Sequence, residues 1–177
     1  MKRKIQRLLF HSLKFLIGLL AYVDSRIYMK LYTLLLRSTG LRIIGTPRFI
    51  AKSVMFDDFD RIEIGDHLVV SINTCFLTHD YSYTTALRAI GETVPADIGI
   101  LRNITIGSNV FIGMNSIILP GCKIGHNVII GAGSVVRGNI EDFSVYAGNP
   151  AQRIGDIRDY AEKTKSRGNQ DFRYDKR

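Results

Sequence analysis

From residue 100 onward, aliphatic side chains return at every sixth position: Ile100, Ile106, Ile112, Ile118, Ile124, Ile130 and Val136. Glycine follows four of them (Gly107, Gly113, Gly125, Gly131). The fourth residue after each is small or apolar: Ile104, Val110, Ser116, Cys122, Val128, Ser134 and Ile140. An earlier block, Ile64, Val70 and Phe76, keeps the same phase, and a still earlier one, Ile44, Ile50 and Phe56, is two residues out of register. A helix of period 3.6 would rotate such residues off any single face. A fixed six-residue period instead predicts a parallel β-solenoid in which each hexad makes a strand and a turn and three hexads make a triangular coil. Ile106 should then lie under Ile124 and Ile112 under Ile130, with backbone ladders satisfied between coils. Gly107, Asn109, Gly113, Asn115, Gly121, Gly125 and Asn127 fall at the corners, where positive φ is expected.

The repeat breaks once, between His79 and Ile100. Residues 80–99 read as an excursion loop of about one coil's length, and long loops on a rigid scaffold commonly carry function. The repeat ends near Ile140. The tail from Arg153 is charged and poor in apolar residues. A short helix is expected over Asp156 to Lys165, with fraying of the last residues.

Before the repeat, Ile5, Leu8, Leu9, Leu13, Leu16, Leu20 and Val23 recur at helical spacing, and Arg26 to Arg37 repeat the pattern before Gly40 stops it. The chain thus divides into a helical arm (1–43), a solenoid (44–152) and a charged tail (153–177). The net charge of +8 is concentrated in the arm, where ten Lys or Arg up to Arg48 face one acid, Asp24. Nucleic acid and an anionic membrane are the two partners such basicity suits; the interwoven apolar residues favour the membrane. Residues 1–37 are therefore either an interfacial anchor or a helical cap packed on the solenoid or on a neighbouring subunit. The uncharged apolar run Phe15–Val23 is too short to span a bilayer, which needs about 20 residues, and no good cleavage site follows it. Cys75 and Cys122 form no CxxC pair; they fit a reducing compartment and are expected to be buried and inert.

The stretch ITIGSNVFIGMNSIILPGCKIGHNVIIGAGSVVRGNIEDFSVYAGNPAQRI (Ile104 to Ile154), with FLTHD (Phe76 to Asp80) opening the excursion and AGNPA (Ala147 to Ala151) closing the repeat, resembles the hexapeptide-repeat acyltransferases. The likeness is to the maltose and galactoside acetyltransferase branch and the related polysaccharide O-acetyltransferases. It implies a left-handed parallel β-helix and transfer of an acetyl group from acetyl-CoA to a sugar or glycan hydroxyl, without a metal. By this resemblance His79 is the general base. A neutral imidazole with an ordinary pKa of about 6.5 can deprotonate a hydroxyl as it attacks a thioester. The backbone N–H of Met114 is the implied oxyanion donor, Asp57 and Asp58 are implied acceptor contacts, and Asp80 is a candidate to orient His79 or touch the acceptor. Gly113, Ala132, Gly133, Ser134, Arg137, the loop Gly148-Asn149-Pro150-Ala151 and Arg153 are the implied coenzyme A contacts. Relatives often place Arg or Lys where Gln152 stands here, so the phosphate contact is expected either to have moved one residue, to Arg153, or to have been lost. The resemblance also implies a homotrimer with sites between subunits. The apolar-basic arm and the two scattered cysteines, for their part, point to no nucleic-acid partner and to a cytoplasmic location at or near the inner membrane face.

Three rivals remain. An N-acyltransferase of an amino or nucleotide sugar would use the same base. A zinc hydratase on the same fold would need three suitably spaced histidines, but the solenoid has only His67, His79 and His126, without an H-x₄-H pair. A non-enzymatic solenoid scaffold would not need the THD and AGNPA segments.

Overall fold

The structure is a computed structural model that describes residues 2–167; the expected fraying of the last residues lies outside them. The hexads fold as the period demands, into a left-handed parallel β-helix with three faces. Face 1 stacks Arg42–Ile43, Ile62–Ile64, Ile104–Ile106, Lys123–Ile124 and Asn139–Ile140. Face 2 stacks Phe49–Ile50, Val69–Val70, Val110–Ile112, Val128–Ile130 and Ser144–Gly148, closed by the antiparallel strand Ala151–Asp156. Face 3 stacks Met55–Phe56, Cys75–Phe76, Ile117–Ile118 and Val135–Val136. Ile106 pairs with Ile124 and Ile112 with Ile130, as the period predicts. Ile64, Ile112, Ile118, Ile130 and Val136 are completely buried, as are Ser116, Cys122 and Ser134 at the second inward position. Each fully buried aliphatic side chain contributes about 1.5–3 kcal/mol relative to exposure.

Three details differ from the periodic reading. Ile100 keeps the phase only by coincidence: Ile100–Leu101 pairs antiparallel with His79–Asp80 and belongs to the excursion. Gly107, Gly113 and Gly125 are not among the positive-φ residues, which at the corners are Asn109, Asn115, Asn127 and Gly121. The three glycines are there because coils touch: a Cβ on Gly107 would meet the Gly125 carbonyl oxygen at 2.5 Å, and one on Gly113 the Ala132 nitrogen at 2.5 Å. Cys122 is buried, which pushes its thiol up to about 12, but Cys75 is only half-buried because it precedes the inward Phe76 and points outward.

The excursion is ordered. Its antiparallel base carries helix α3 (Ser82–Ala89), whose buried Thr84 accepts the Ile98 N–H at 2.7 Å through Oγ1. The arm is a helical hairpin, α1 (Lys2–Leu20) and α2 (Ser25–Ser38), with Asp24 capping α2 through the Arg26 and Ile27 N–H groups. Tyr28, Met29, Tyr32 and Leu36 of α2 join the solenoid core, and the Tyr28 hydroxyl donates to the Ile50 carbonyl at 2.7 Å. On α1, Lys14 donates to the Val54 carbonyl at 3.0 Å, and burial lowers its pKa. The hairpin therefore closes the N-terminal end of the solenoid. At the other end α4 (Ile157–Ser166) is capped by Asp156, which accepts the Arg158 N–H at 2.8 Å. No helix among the described residues is long and apolar enough to cross a membrane.

Candidate active site

The corner between faces 3 and 1 gathers the titratable cluster. Met55–Phe56 pairs with Cys75–Phe76 in register, so Asp57 and Asp58 leave face 3 directly beside Leu77 and Thr78. Buried Thr78 fastens both acids. Its backbone N–H donates to Asp57 Oδ2 at 3.3 Å, and its hydroxyl donates to Asp58 Oδ2 at 2.8 Å. His79, the next residue, brings Nδ1 to 2.9 Å from Asp57 Oδ2 and 3.3 Å from Asp58 Oδ2. Both partners are carboxylate oxygens, so Nδ1 carries the proton and Nε2 keeps a lone pair for chemistry. The imidazole is about one-third exposed, and the ring of Tyr81 meets its edge at 5.4 Å between centroids. Gly99 makes room for that tyrosine: a Cβ there would lie 2.8 Å from a Tyr81 ring carbon. Burial alone would raise the Asp58 carboxyl, but the hydrogen bonds from Thr78 and His79 and the charges of His79 and Arg61 outweigh it and hold its pKa below the ordinary carboxylate value.

One expectation needs correction. Asp80 does not orient His79. Adjacent strand residues point to opposite sides, and the Asp80 carboxylate instead accepts the Ser82 N–H at 2.7 Å, starting α3. Asp57 and Asp58, expected as acceptor contacts, also hold the imidazole. Tyr81 and Gly99 carried no signal in the sequence pattern. The pairing of Asp57 and Asp58 with the THD stretch did carry one, in the two-residue offset of the Ile50–Phe56 block.

Asp57, Asp58 and His79 are also the group of three metal-capable side chains found among the described residues, with ligand atoms within 4.8 Å of one another. The oxygens facing the imidazole already accept the Thr78 N–H and hydroxyl. A cation there would compete with those donors and would require Nδ1 to give up the proton it shares with the carboxylates, so the arrangement serves as an orienting clamp for a base better than as a metal cage.

The corner between faces 2 and 3 gathers a different set: Gly113, Met114, Ala132, Gly133, Ser134, Gly148, Asn149 and Pro150. Ser134 is buried; its hydroxyl donates to the Gly131 carbonyl at 2.6 Å and accepts the Gly148 N–H at 3.2 Å, tying the last two turns together. The Met114 carbonyl accepts from Gly133 at 2.8 Å, while its N–H has no partner among the described residues. Ala132 and Gly133 are exposed at this edge, so a ligand can reach the backbone closely. Arg137 lies instead at the His79 corner, after Val135–Val136 of face 3. Arg153 sits on the closing strand, within 3.7 Å of Glu141 and 3.8 Å of Asp156. Neither arginine joins the Met114 corner. Face 3 thus separates the base from the Met114 corner within one chain.

Residues 103–138 match the family described as bacterial transferase hexapeptide (six repeats). The chain is 37% identical over 130 residues to protein CapG of Staphylococcus aureus, covering 72% of this chain and 73% of that protein. It is 37% identical over 103 residues to the galactoside O-acetyltransferase of Escherichia coli, covering 58% of this chain and 47% of that enzyme. Among solved structures, a galactoside acetyltransferase in complex with coenzyme A superposes with a TM-score of 0.59 at 24% identity, covering 90% of this chain and 84% of the other.

Proposed function

The chain belongs to the hexapeptide-repeat acyltransferases, and from that premise we propose that it transfers an acetyl group from acetyl-CoA to a hydroxyl of a sugar or glycan. The observation that carries this reading is the clamp on His79 Nδ1 by Asp57 and Asp58, which leaves Nε2 as a base. Nε2 takes the proton of the acceptor hydroxyl as its oxygen attacks the thioester carbonyl. The tetrahedral oxyanion is met by the Met114 N–H. The C–S bond then breaks, and the imidazolium returns its proton to the departing thiolate. Asp57 and Asp58 hold the ring and stabilise its transient charge, as the carboxylate of a Ser-His-Asp triad does.

Base and oxyanion donor stand at different corners of one solenoid, so a complete site needs a second copy. Three copies side by side place the His79 corner of each against the Gly113–Pro150 corner of the next, a closed cyclic arrangement with three equivalent sites. The galactoside acetyltransferase of the same fold is a complex with coenzyme A, which supports that ligand for this cleft.

The experiment is acetyl transfer from acetyl-CoA to matched sugars that differ only in hydroxyl or amine at one carbon. Turnover on the hydroxyl sugar supports the reading. Turnover on the amine alone would replace it with N-acylation, and no turnover with either would leave the clamp without a reaction.

A further inference from the structure

Only one side of the α1–α2 hairpin is used to close the solenoid. Its outer side leaves Leu13, Phe15, Leu19, Val23, Ile27 and Leu31 exposed, Phe15 by 69% and Val23 by 83%. They form an apolar ridge of exposed side chains spread over the solvent side of both helices and the turn between them. Monomeric proteins rarely leave so many large apolar side chains together in water.

Beside the ridge, between α2 and the first coil, lies a groove of about 660 Å³ whose cationic lining is Arg26, Lys30, Arg37 and Arg48. Leu34 belongs to both features: it lines the groove and is 55% exposed. The nearby acid, Asp66, accepts the Thr46 N–H at 2.7 Å and pairs with His67 at 2.6 Å. An apolar ridge flanked by cations is the pattern of a helix lying in a lipid interface.

We propose that the hairpin docks this protein on an anionic lipid bilayer, with the ridge among the upper acyl chains and the groove receiving lipid phosphate groups. Charge selects this occupant over a second copy of the chain. The groove lining carries four Lys or Arg and no Asp or Glu, so two such faces would repel. A nucleic acid would satisfy the cations and leave the ridge in water. The inference is independent of the acyl transfer proposed above, although three hairpins at one end of a side-by-side trimer would bind with avidity.

The test is co-flotation of the full chain with vesicles of phosphatidylcholine alone or with about 30 mol% phosphatidylglycerol. Binding is expected only to the anionic vesicles and is lost in about 0.5 M NaCl. Phe15→Asp combined with Leu19→Asp should abolish it. Lys30→Glu and Arg48→Glu should each lower the partition coefficient roughly fivefold or more. Unfolding midpoints and solution mass of the variants, unchanged from wild type, would assign the losses to docking. Equal binding to neutral vesicles, or intact binding in these variants, would overturn the proposal. So would a change in oligomeric state in the Phe15/Leu19 variant, which would make the ridge a contact between copies. Inorganic phosphate binding, measured calorimetrically, without any binding to anionic vesicles would make the groove a site for a free anion and also overturn it.

Discussion

His79 Nδ1 lies 2.9 Å from Asp57 Oδ2, although the two residues stand in successive coils of the solenoid. The stacking of Met55–Phe56 on Cys75–Phe76 fixes this meeting, and with it which imidazole nitrogen faces solvent. His79→Ala should therefore lower kcat by at least about 100-fold while folding and coenzyme A binding persist. Isothermal titration with coenzyme A beside a steady-state assay separates the two effects. Normal turnover in that variant would remove the imidazole from the mechanism.

Asp57→Asn and Asp58→Asn should each reduce kcat, by about 10- to 1,000-fold, with little change in KM for acetyl-CoA. An amide can present its N–H to Nδ1 and favour the wrong tautomer. Residues acting as one unit are not additive, so adding either change to His79→Ala should cost almost nothing further. A fully additive loss would place the acids on the acceptor, independent of the imidazole.

The lowered pKa of Asp58 sets the sign of an acid effect on stability. A carboxyl with a folded pKa below its unfolded value of about 3.9 stabilises the fold fully above that value, and the contribution is lost as pH falls through the lower, folded pKa. Denaturant midpoints of wild type and Asp58→Asn should thus differ by a constant amount at neutral and weakly acidic pH and converge below about pH 4. A gap that widened on acidification would reverse the assignment.

The sequence-to-structure relation is uneven in an instructive way. The inward column Ile106, Ile112, Ile118, Ile124, Ile130 and Val136 was legible because period and burial are the same fact in a solenoid. His79 was legible through its motif. The partners of His79 depend on coil length, which shows in the sequence only as the two-residue offset of the early block: Asp58 and Thr78 meet across a 20-residue coil, whereas later equivalents such as Asn109 and Asn127 are 18 apart. Ile100 shows the converse, a periodic residue that the excursion removes from the core. Gly121 has the positive φ the corner demands, whereas Gly107, Gly113 and Gly125 are required by close approach between coils, which leaves no trace in composition.

The arm was open between cap and anchor, and α2 proves to be a cap whose two tyrosines differ. Tyr28 donates to the Ile50 carbonyl, but the Tyr32 hydroxyl is buried without a partner among the described residues. An unsatisfied buried hydroxyl costs about 1–3 kcal/mol. Tyr32→Phe should therefore be neutral or stabilising, and Tyr28→Phe should cost about 1 kcal/mol. Thermal unfolding of the two variants provides the comparison. Equal destabilisation by both would mean that Tyr32 has a partner.

Because His79 and Met114 stand at opposite edges of face 3, the decisive prediction concerns mixed oligomers. Ala132→Trp should obstruct the donor edge, since Ala132 is exposed there and its bulk need not enter the core. His79→Ala leaves that edge intact and removes the base. Each variant alone should be inactive. When the two are unfolded together in equal amounts and refolded, a site assembled from the base of one copy and the donor edge of the next draws its halves independently. About one site in four should then contain two wild-type halves, returning about a quarter of the native rate. Sites contained within single chains would give no recovery at any mixing ratio.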